Sequence, residues 1–251
     1  MSGAKPYGFA EGLRWIGAGF ALVWRRPLLW LLLTSALFAV ALFAAMLPAV
    51  GNLLLYTLSP AILAGLLLVC HQLAGDTAPS LESVGGVMRE VAGVLFGLGV
   101  VYTAIQIGLL FLLATASPEV MQGLVPGKAP LAPAAPGPGS LPVLLVVLAL
   151  SVPATMLMWF SPGLAVFRRM QAWPAMRYSL AACIFHWRAC LANGVGVFVL
   201  LLLASLPAML GLVIWVPLMI GTLYSAYVAI FGEPGSSRLV GAAADAGDRV
   251  S

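Results

Sequence analysis

Long uncharged, apolar stretches alternate along this chain with short segments that carry nearly all of its charges. No charged residue occurs in the ranges 27–75, 91–118, 129–167 and 189–232. About 20 helical residues cross the hydrocarbon core of a bilayer, so the first and last of these ranges can each hold two spans. The other two can each hold one. The pattern predicts six spans, at 28–47, 53–73, 92–115, 141–167, 190–206 and 210–231.

Three of the charged segments have the periodicity of helices that lie at a membrane surface. Apolar residues recur every three or four positions over 9–23, 81–91 and 176–187, and charged residues occupy the remaining faces. A composition that is 62% hydrophobic and 8% charged excludes an ordinary soluble domain. The predicted fold is therefore all-α and polytopic: six transmembrane helices in three hairpins, each hairpin preceded by an interfacial amphipathic helix.

The chain is predicted to form a single membrane domain over 1–231. A Pro/Ala/Gly-rich loop interrupts the domain at 116–140, and five prolines between 125 and 140 favour an extended, polyproline-like conformation. The tail over 232–251 is small and polar, which is typical of disorder.

The basic residues indicate the orientation of the spans. When the loops alternate between the two sides, eleven of the twelve Lys and Arg residues fall on one side and only Lys128 on the other. The positive-inside rule then predicts that both termini are cytoplasmic. The range 28–47 is too long and begins too late for a cleaved signal peptide, so it is interpreted as a retained span. The net charge of +4 reflects this topology and contact with anionic lipid, and no nucleic-acid partner is predicted.

Prolines predict bends in three of the spans. Pro60, Pro153 and Pro217 each precede a charged residue by sixteen positions. The range 141–167 would be roughly 40 Å long as one helix, against a hydrocarbon core of about 30 Å. Pro162 and Gly163 near its end therefore predict an additional kink, which joins this span to the third interfacial helix.

Two stretches, FSPGLAVFRRM at 160–170 and WPAMRYSLAACIFHWRA at 173–189, carry a resemblance to a known group of proteins. They resemble the signature of the uncharacterised BPSS-type bacterial inner-membrane proteins. More distantly, they are similar to the YciC-like proteins and to the membrane domain of some glycerophosphodiester phosphodiesterases. The matching positions are Pro162, Leu164, Ala175, Ser179 and Trp187. The resemblance implies six spans in a bacterial inner membrane and carries over no catalytic residue. The longer outer loop of this chain departs from the group.

Cys183, His186 and Cys190 lie on one face of a predicted helix, and Cys70 and His71 end the second span. Together they could supply a tetrahedral metal site. Alternatively, the cysteines pack as small apolar residues within the helix stripe. We favour packing, and we predict no metal, no cofactor and no structural disulfide.

The predicted spans offer little for catalysis or for ion-coupled transport. They contain no Asp or Glu, and the chain has neither a His-Glu-x-x-His nor a Gly-x-Ser-x-Gly motif. Gln106, with Tyr102 and Tyr224, is the candidate lining of a solute path, although hydrogen bonding between helices is the interpretation we favour for Gln106.

These observations predict a non-enzymatic membrane-organising or lipid-interacting scaffold. Its partners are membrane lipids, and the head groups of anionic lipids are held by Arg25, Arg26, Arg168, Arg169 and Arg188. The alternative is a facilitator or permease for a small neutral or amphiphilic solute, with the proline-broken spans as gates. Small residues at fourfold spacing suit a compact bundle and are equally compatible with a homo-oligomer.

Overall fold

The computed structural model describes residues 6–75, 79–116, 140–206 and 211–233. The secondary structure of these residues is helical, with no strand among them. The helices are α1 Phe9–Trp24, α2 Pro27–Ala45, α3 Pro48–Ala74, α4 Leu81–Ala116, α5 Ser140–Trp159, α6 Ser161–Arg168, α7 Ala172–Phe185, α8 Trp187–Ser205 and α9 Leu212–Phe231. The predictions for the interior of the loop at 116–140 and for the tail beyond 233 concern residues outside these ranges.

Six segments of the described chain are long and apolar enough to cross a membrane, which confirms the all-α polytopic fold. They are α2, most of α3, most of α4, the α5–α6 segment from Leu145 to Arg168, α8 and α9. The observed bounds lie close to the predicted ones at α2, α8 and α9. Both α2 and α3 begin at a proline, which suits the first turn of a helix because the missing N–H needs no partner there.

Hydrogen bonds bring one set of helix ends together. Arg25, between α1 and α2, bonds to Leu73 at the end of α3, and Arg168, at the end of α6, bonds to Phe231 at the end of α9. We call this the charged end of the bundle. The far end holds the α2–α3 and α8–α9 hairpins, the end of α4 and the start of α5. Much of the buried core lies toward the charged end.

The second predicted interfacial helix is continuous with the third span. Together they form α4, whose 36 residues extend about 54 Å, against a hydrocarbon core of about 30 Å. No proline interrupts the range 81–116, and the helix is continuous through Gly85 and Gly86. An ion pair of 2.6 Å between Glu90 and Arg169 ties the amphipathic first part of α4 to the α6–α7 junction.

Helix α1 packs its glycine face against α8 and α9. A Cβ atom added to Gly12 would lie 2.2 Å from the carbonyl oxygen of Ala189, and one added to Gly19 would lie 2.4 Å from the backbone nitrogen of Thr222. Backbones approach this closely only where the side chain is absent. The opposite face of α1, with Phe9, Leu13 and Phe20, is exposed. A helix that was expected to lie in the interface alone therefore also forms part of the bundle.

The first and third hairpins share a close contact at the same sequence offset. A Cβ atom on Gly51 would lie 1.9 Å from the carbonyl oxygen of Ala44, and one on Gly211 would lie 2.4 Å from that of Ala204. Each glycine follows its alanine by seven positions and lets two antiparallel helices meet directly after the turn. The same contact in the α2–α3 and α8–α9 hairpins is what a repeated hairpin unit would produce.

Candidate binding cavity within the bundle

The helix break between α5 and α6 is stabilised by a serine from α7. The Ser179 hydroxyl accepts a hydrogen bond of 3.0 Å from the Phe160 N–H and donates one of 2.6 Å to the Met156 carbonyl. In an uninterrupted helix these two backbone groups would bond to each other. A side chain inserted into the backbone ladder is a recognised cause of sharp helix bends. Here it also leaves neither buried backbone group without a partner.

Pro162 and Gly163 occupy the first turn of α6, directly after this break. Proline is tolerated there because its missing N–H would have no helical partner. Gly163 is buried, and a Cβ atom at this position would lie 3.0 Å from Cδ2 of Tyr227 on α9. The glycine therefore lets the tyrosine ring pack closely against α6.

A cavity of about 520 Å³ lies between α2, α3, α4, α5, α6 and α9. Its volume is within the range of small-molecule binding sites, which is about 300–1,000 Å³. Aliphatic side chains such as Leu63, Leu66 and Leu223 form most of its wall, and Trp159 and Pro162 from the helix break form another part. The break therefore shapes one side of the cavity.

Four residues of the cavity lining carry hydroxyl groups, and Trp159 adds an indole N–H. Ser59 and Thr155 donate to backbone carbonyls of their own helices, at 2.9 and 2.8 Å respectively. Tyr56 and Tyr102 stand edge to face, with ring centroids 6.1 Å apart. Neither phenol hydroxyl bonds to any described residue. Both retain their full hydrogen-bonding capacity toward a molecule in the cavity.

The three residues predicted to line a solute path are not brought together. Tyr102 lines the cavity, whereas Gln106, one turn further along α4, is half-buried and does not. Tyr224 is buried on α9, and its hydroxyl lies 3.0 Å from Nδ1 of His71. This pair lies next to Leu223, toward the charged end of the cavity.

The predicted hinge prolines occupy different surroundings. Pro60 is buried and lines the cavity, as Pro162 does. Helices α3, α5 and α9 continue through Pro60, Pro153 and Pro217 respectively. Within the described chain, α5 and α6 form the span that is divided into two helices, and that division falls at Phe160. Sequence inspection missed Ser179 as the residue that holds this division, although it belongs to the motif at 173–189.

Two of the five arginines predicted to bind lipid head groups cap helix ends. Nη1 of Arg25 donates a hydrogen bond of 3.0 Å to the Leu73 carbonyl, near the end of α3. Arg168 donates to the Phe231 carbonyl at the end of α9, and its guanidinium lies 5.8 Å from the centroid of that ring. Cations are favourable at helix C-termini, where carbonyl groups lack helical partners.

The other three arginines differ in their contacts. Arg169 forms the ion pair with Glu90 at 2.6 Å. The Arg188 guanidinium lies 5.4 Å from the centroid of the adjacent Trp187 ring, and both side chains are exposed. Arg26 is exposed, and its side chain has no hydrogen-bond or ionic partner in the described part of the chain.

The histidine of the Cys183, His186, Cys190 set is engaged by the start of the chain. His186 is 3% exposed, and its Nδ1 accepts a hydrogen bond of 3.1 Å from the Tyr7 N–H. Burial lowers the pKa of His186, whereas a hydrogen bond with Cys190, together with burial, raises the pKa of the Cys183 thiol. Across the described residues, no three His, Cys, Asp or Glu side chains are grouped as metal ligands. The structure thus does not bring Cys70 and His71 into a site with this set.

The cavity offers a ligand apolar surface and hydroxyl groups. No carboxylate, imidazole, thiol or charged side chain belongs to its described lining. This arrangement suits the binding of an apolar or amphiphilic molecule. Comparisons of the chain with protein-family models, with curated proteins and with solved structures found no match.

Proposed function

We propose that this protein is a non-enzymatic, lipid-interacting scaffold of a bacterial inner membrane, which holds a lipid-type amphiphile in the cavity between its spans. The observation that carries the proposal is the cavity of about 520 Å³, with aliphatic walls and four hydroxyls. Ligand sites in proteins are commonly apolar pockets with a few placed polar groups. The resemblance to the BPSS-type inner-membrane proteins is consistent with this proposal.

The charged end of the bundle is proposed to face the cytoplasm, with both termini on that side. Eleven of the twelve basic residues support this orientation. Because Arg25 and Arg168 bond to carbonyl groups at helix ends, they are less available to bind lipid head groups. Arg26 and Arg188, whose side chains are exposed, are the best placed to meet anionic lipid at this surface.

Lipid retention tests the role of the cavity. Leu63 lines it, and Leu63→Trp would fill it. Leu54 lies on the same helix, is 50% exposed and lies outside the lining, so Leu54→Trp is the matched control. Native mass spectrometry of protein released from lipid nanodiscs should show a bound lipid in wild type and in the Leu54 variant, but not in the Leu63 variant. Equal retention by all three would overturn the proposal.

A second candidate, a facilitator for a small neutral or amphiphilic solute, is favoured by the helix breakers in the cavity wall. Pro162, directly after the division between α5 and α6, lines the cavity, and interrupted helices commonly flank the substrate sites of transporters. Pro60, within the continuous α3, lines it too. The pair formed by His71 and Tyr224 adds polar groups toward the charged end. Flux of glycerol into proteoliposomes that is blocked by Leu63→Trp, but not by Leu54→Trp, would support transport. No flux above protein-free vesicles would exclude glycerol transport.

A further inference from the structure

We infer that the cavity takes an uncharged amphiphile whose head group is bound by Tyr56 and Tyr102 and whose apolar chain extends toward Leu66 and Leu223. The inference rests on the proposed function, because it names the chemical class of ligand for the same cavity. Three observations support it. The described lining carries no charged side chain, the hydroxyls of Tyr56 and Tyr102 have no hydrogen-bond partner among the described residues, and the cavity extends along α3 from Tyr56 to Leu66.

The absence of charge in the described lining selects against a charged head group. A phosphate or carboxylate placed among aliphatic side chains loses its hydration, and no arginine or lysine of the described lining would compensate for that loss. The arginines of the described residues lie on other surfaces, and Arg25 and Arg168 at the charged end bond to helix carbonyls. An uncharged head group avoids this penalty.

The positions of the two phenols are set by a tight crossing of α3 and α4. A Cβ atom on Gly99 would lie 1.9 Å from the Thr57 carbonyl oxygen. The hydroxyls of Thr57 and Thr103 are 2.9 Å apart and bond to each other. Tyr56 and Tyr102 each precede one of these threonines by one position. The crossing therefore holds the tyrosine pair in a defined register.

The phenols can donate hydrogen bonds to oxygen atoms of a ligand. The hydroxyls of Tyr56 and Tyr102 have no hydrogen-bond partner among the residues described, whereas the Ser59 and Thr155 hydroxyls donate their hydrogens to backbone carbonyls. Serine and threonine oxygens still accept hydrogen bonds. The lining thus offers both donors and acceptors, which suits a hydroxyl or ester head group such as that of an acylglycerol.

The cavity also has a direction within the bundle. Tyr56 and Leu66 are ten residues apart on α3, which corresponds to about 15 Å along the helix. Tyr56 is nearer the far end, and Leu66 is nearer the charged end, where α3 terminates. The head group is therefore placed toward the far end, and the chain points toward the charged end.

Photo-crosslinking of the full chain in lipid nanodiscs tests the assignment. Two probes share one diazirine-bearing acyl chain: a monoacylglycerol, which is uncharged, and the corresponding lysophosphatidic acid, which adds only the phosphate. We expect the monoacylglycerol to label the protein at least about tenfold more strongly, at peptides covering 59–66 or 216–223. Equal labelling by both probes at these peptides would overturn the inference and leave the proposed function standing.

Paired variants test the phenols. The double variant Tyr56→Phe/Tyr102→Phe keeps both rings and should lower monoacylglycerol labelling by about tenfold, the loss expected for two neutral hydrogen bonds. Tyr178→Phe removes a hydroxyl from an exposed tyrosine outside the cavity and should leave labelling unchanged. If the double variant labels like wild type while Leu63→Trp abolishes labelling, the two tyrosines do not bind the head group, but the proposal that the cavity binds a lipid still stands. If Leu63→Trp has no effect either, the proposed function fails as well.

Discussion

The hydroxyl of Ser179 donates a hydrogen bond of 2.6 Å to the carbonyl oxygen of Met156, which lies 23 positions earlier in the chain. The hydroxyl oxygen of Ser179 in turn accepts a hydrogen bond from the Phe160 N–H. One side chain of α7 thus completes the backbone hydrogen bonding at the division between α5 and α6. The bend is built into the packing of three helices and does not depend on proline alone.

Replacing Ser179 should destabilise the protein. Ser179→Ala leaves the buried Phe160 N–H without a partner, at a cost of about 1–3 kcal/mol. The Met156 carbonyl keeps only the weak contact of 3.8 Å with the Cys183 thiol. We expect a loss of about 1–3 kcal/mol in unfolding free energy, measured by thermal or denaturant unfolding in detergent. Ser151→Ala, which removes a hydroxyl bonded to Leu148 within α5, should change it by less than about 0.5 kcal/mol. Similar losses in the two variants would contradict this role of Ser179.

The glycine face of α1 should tolerate no side chain at Gly19. The added methyl group of Gly19→Ala would overlap the backbone of α9, at 2.4 Å from Thr222 N, so α1 and α9 must separate. Overpacking of this kind typically costs about 1–3 kcal/mol. Gly17→Ala on the same helix meets no neighbouring atom and should be neutral or stabilising, by up to about 1 kcal/mol, because alanine favours the helix. The two variants are compared by their midpoints of thermal unfolding. Equal midpoints would refute the close contact between Gly19 and the backbone of α9 at Thr222.

The contact between Tyr7 and His186 should weaken in acid. Nδ1 accepts from the Tyr7 N–H, and a protonated imidazole has no acceptor. Burial lowers the pKa of His186 below the value of about 6.5 that is usual for histidine, so the unfolded chain binds this proton more readily. The contact therefore contributes fully above about pH 6.5 and is progressively lost as the pH falls from that value through the folded-state pKa.

Hydrogen exchange of residues 7–15 at pH 7.5 and 5.5, corrected for the intrinsic rate, measures this effect. We expect faster exchange at pH 5.5 in wild type and no such change in His186→Gln. Arg188→Gln, two positions away at an exposed site, should behave like wild type. A wild-type protein with identical protection at both values of pH would rule the effect out.

Arg25 and Arg26 should differ although they are neighbours. Arg25→Gln removes the charge that caps α3 at Leu73, so we expect a stability loss of about 0.5–1 kcal/mol. Arg26→Gln should leave stability unchanged and should reduce the phosphatidylglycerol retained in native mass spectra. If Arg25→Gln reduces lipid retention with no change in stability, the division of roles proposed for this pair is reversed.

The orientation of the bundle can be measured with reporter fusions. A reporter active only in the periplasm should be active when inserted after Ala134 and inactive when fused after Ser251. A reporter active only in the cytoplasm should give the opposite result. Activity of the periplasmic reporter at both positions would overturn the proposal that an even number of spans leaves the chain end in the cytoplasm.

The spans could be predicted from the sequence because charge and hydropathy alone determine where a helix can cross a bilayer. The predicted range 210–231 and the observed α9 at Leu212–Phe231 differ by two residues at one end. The joining of 81–91 to 92–115 could not be predicted, since an amphipathic segment and an apolar span can be one helix or two. The difference depends on contacts such as that between Glu90 and Arg169, which link distant parts of the chain.

The cavity was less predictable than the spans. The sequence pointed to Tyr102 as a lining residue because it is a polar residue in an apolar span. It did not point to Tyr56, which contacts Tyr102 across the crossing of α3 and α4. Their pairing follows from the close approach of Gly99 to Thr57, which depends on the register of two helices. Gln106, the most polar residue of that span, does not line the cavity. Helical periodicity places residues on a face of one helix and cannot say which neighbour that face will meet.

The docking of α1 beside Thr222 has a consequence for biosynthesis. Gly19 leaves the ribosome some two hundred residues before its counterpart on α9, so α1 must wait at the membrane surface while the intervening spans are inserted. Its exposed aromatic side chains can lie among lipids during this interval, and its glycine face meets its counterparts only when synthesis reaches α8 and α9. Chains truncated before residue 186 should therefore carry an undocked α1, an exposed segment by which cellular proteases could distinguish unfinished copies from complete ones.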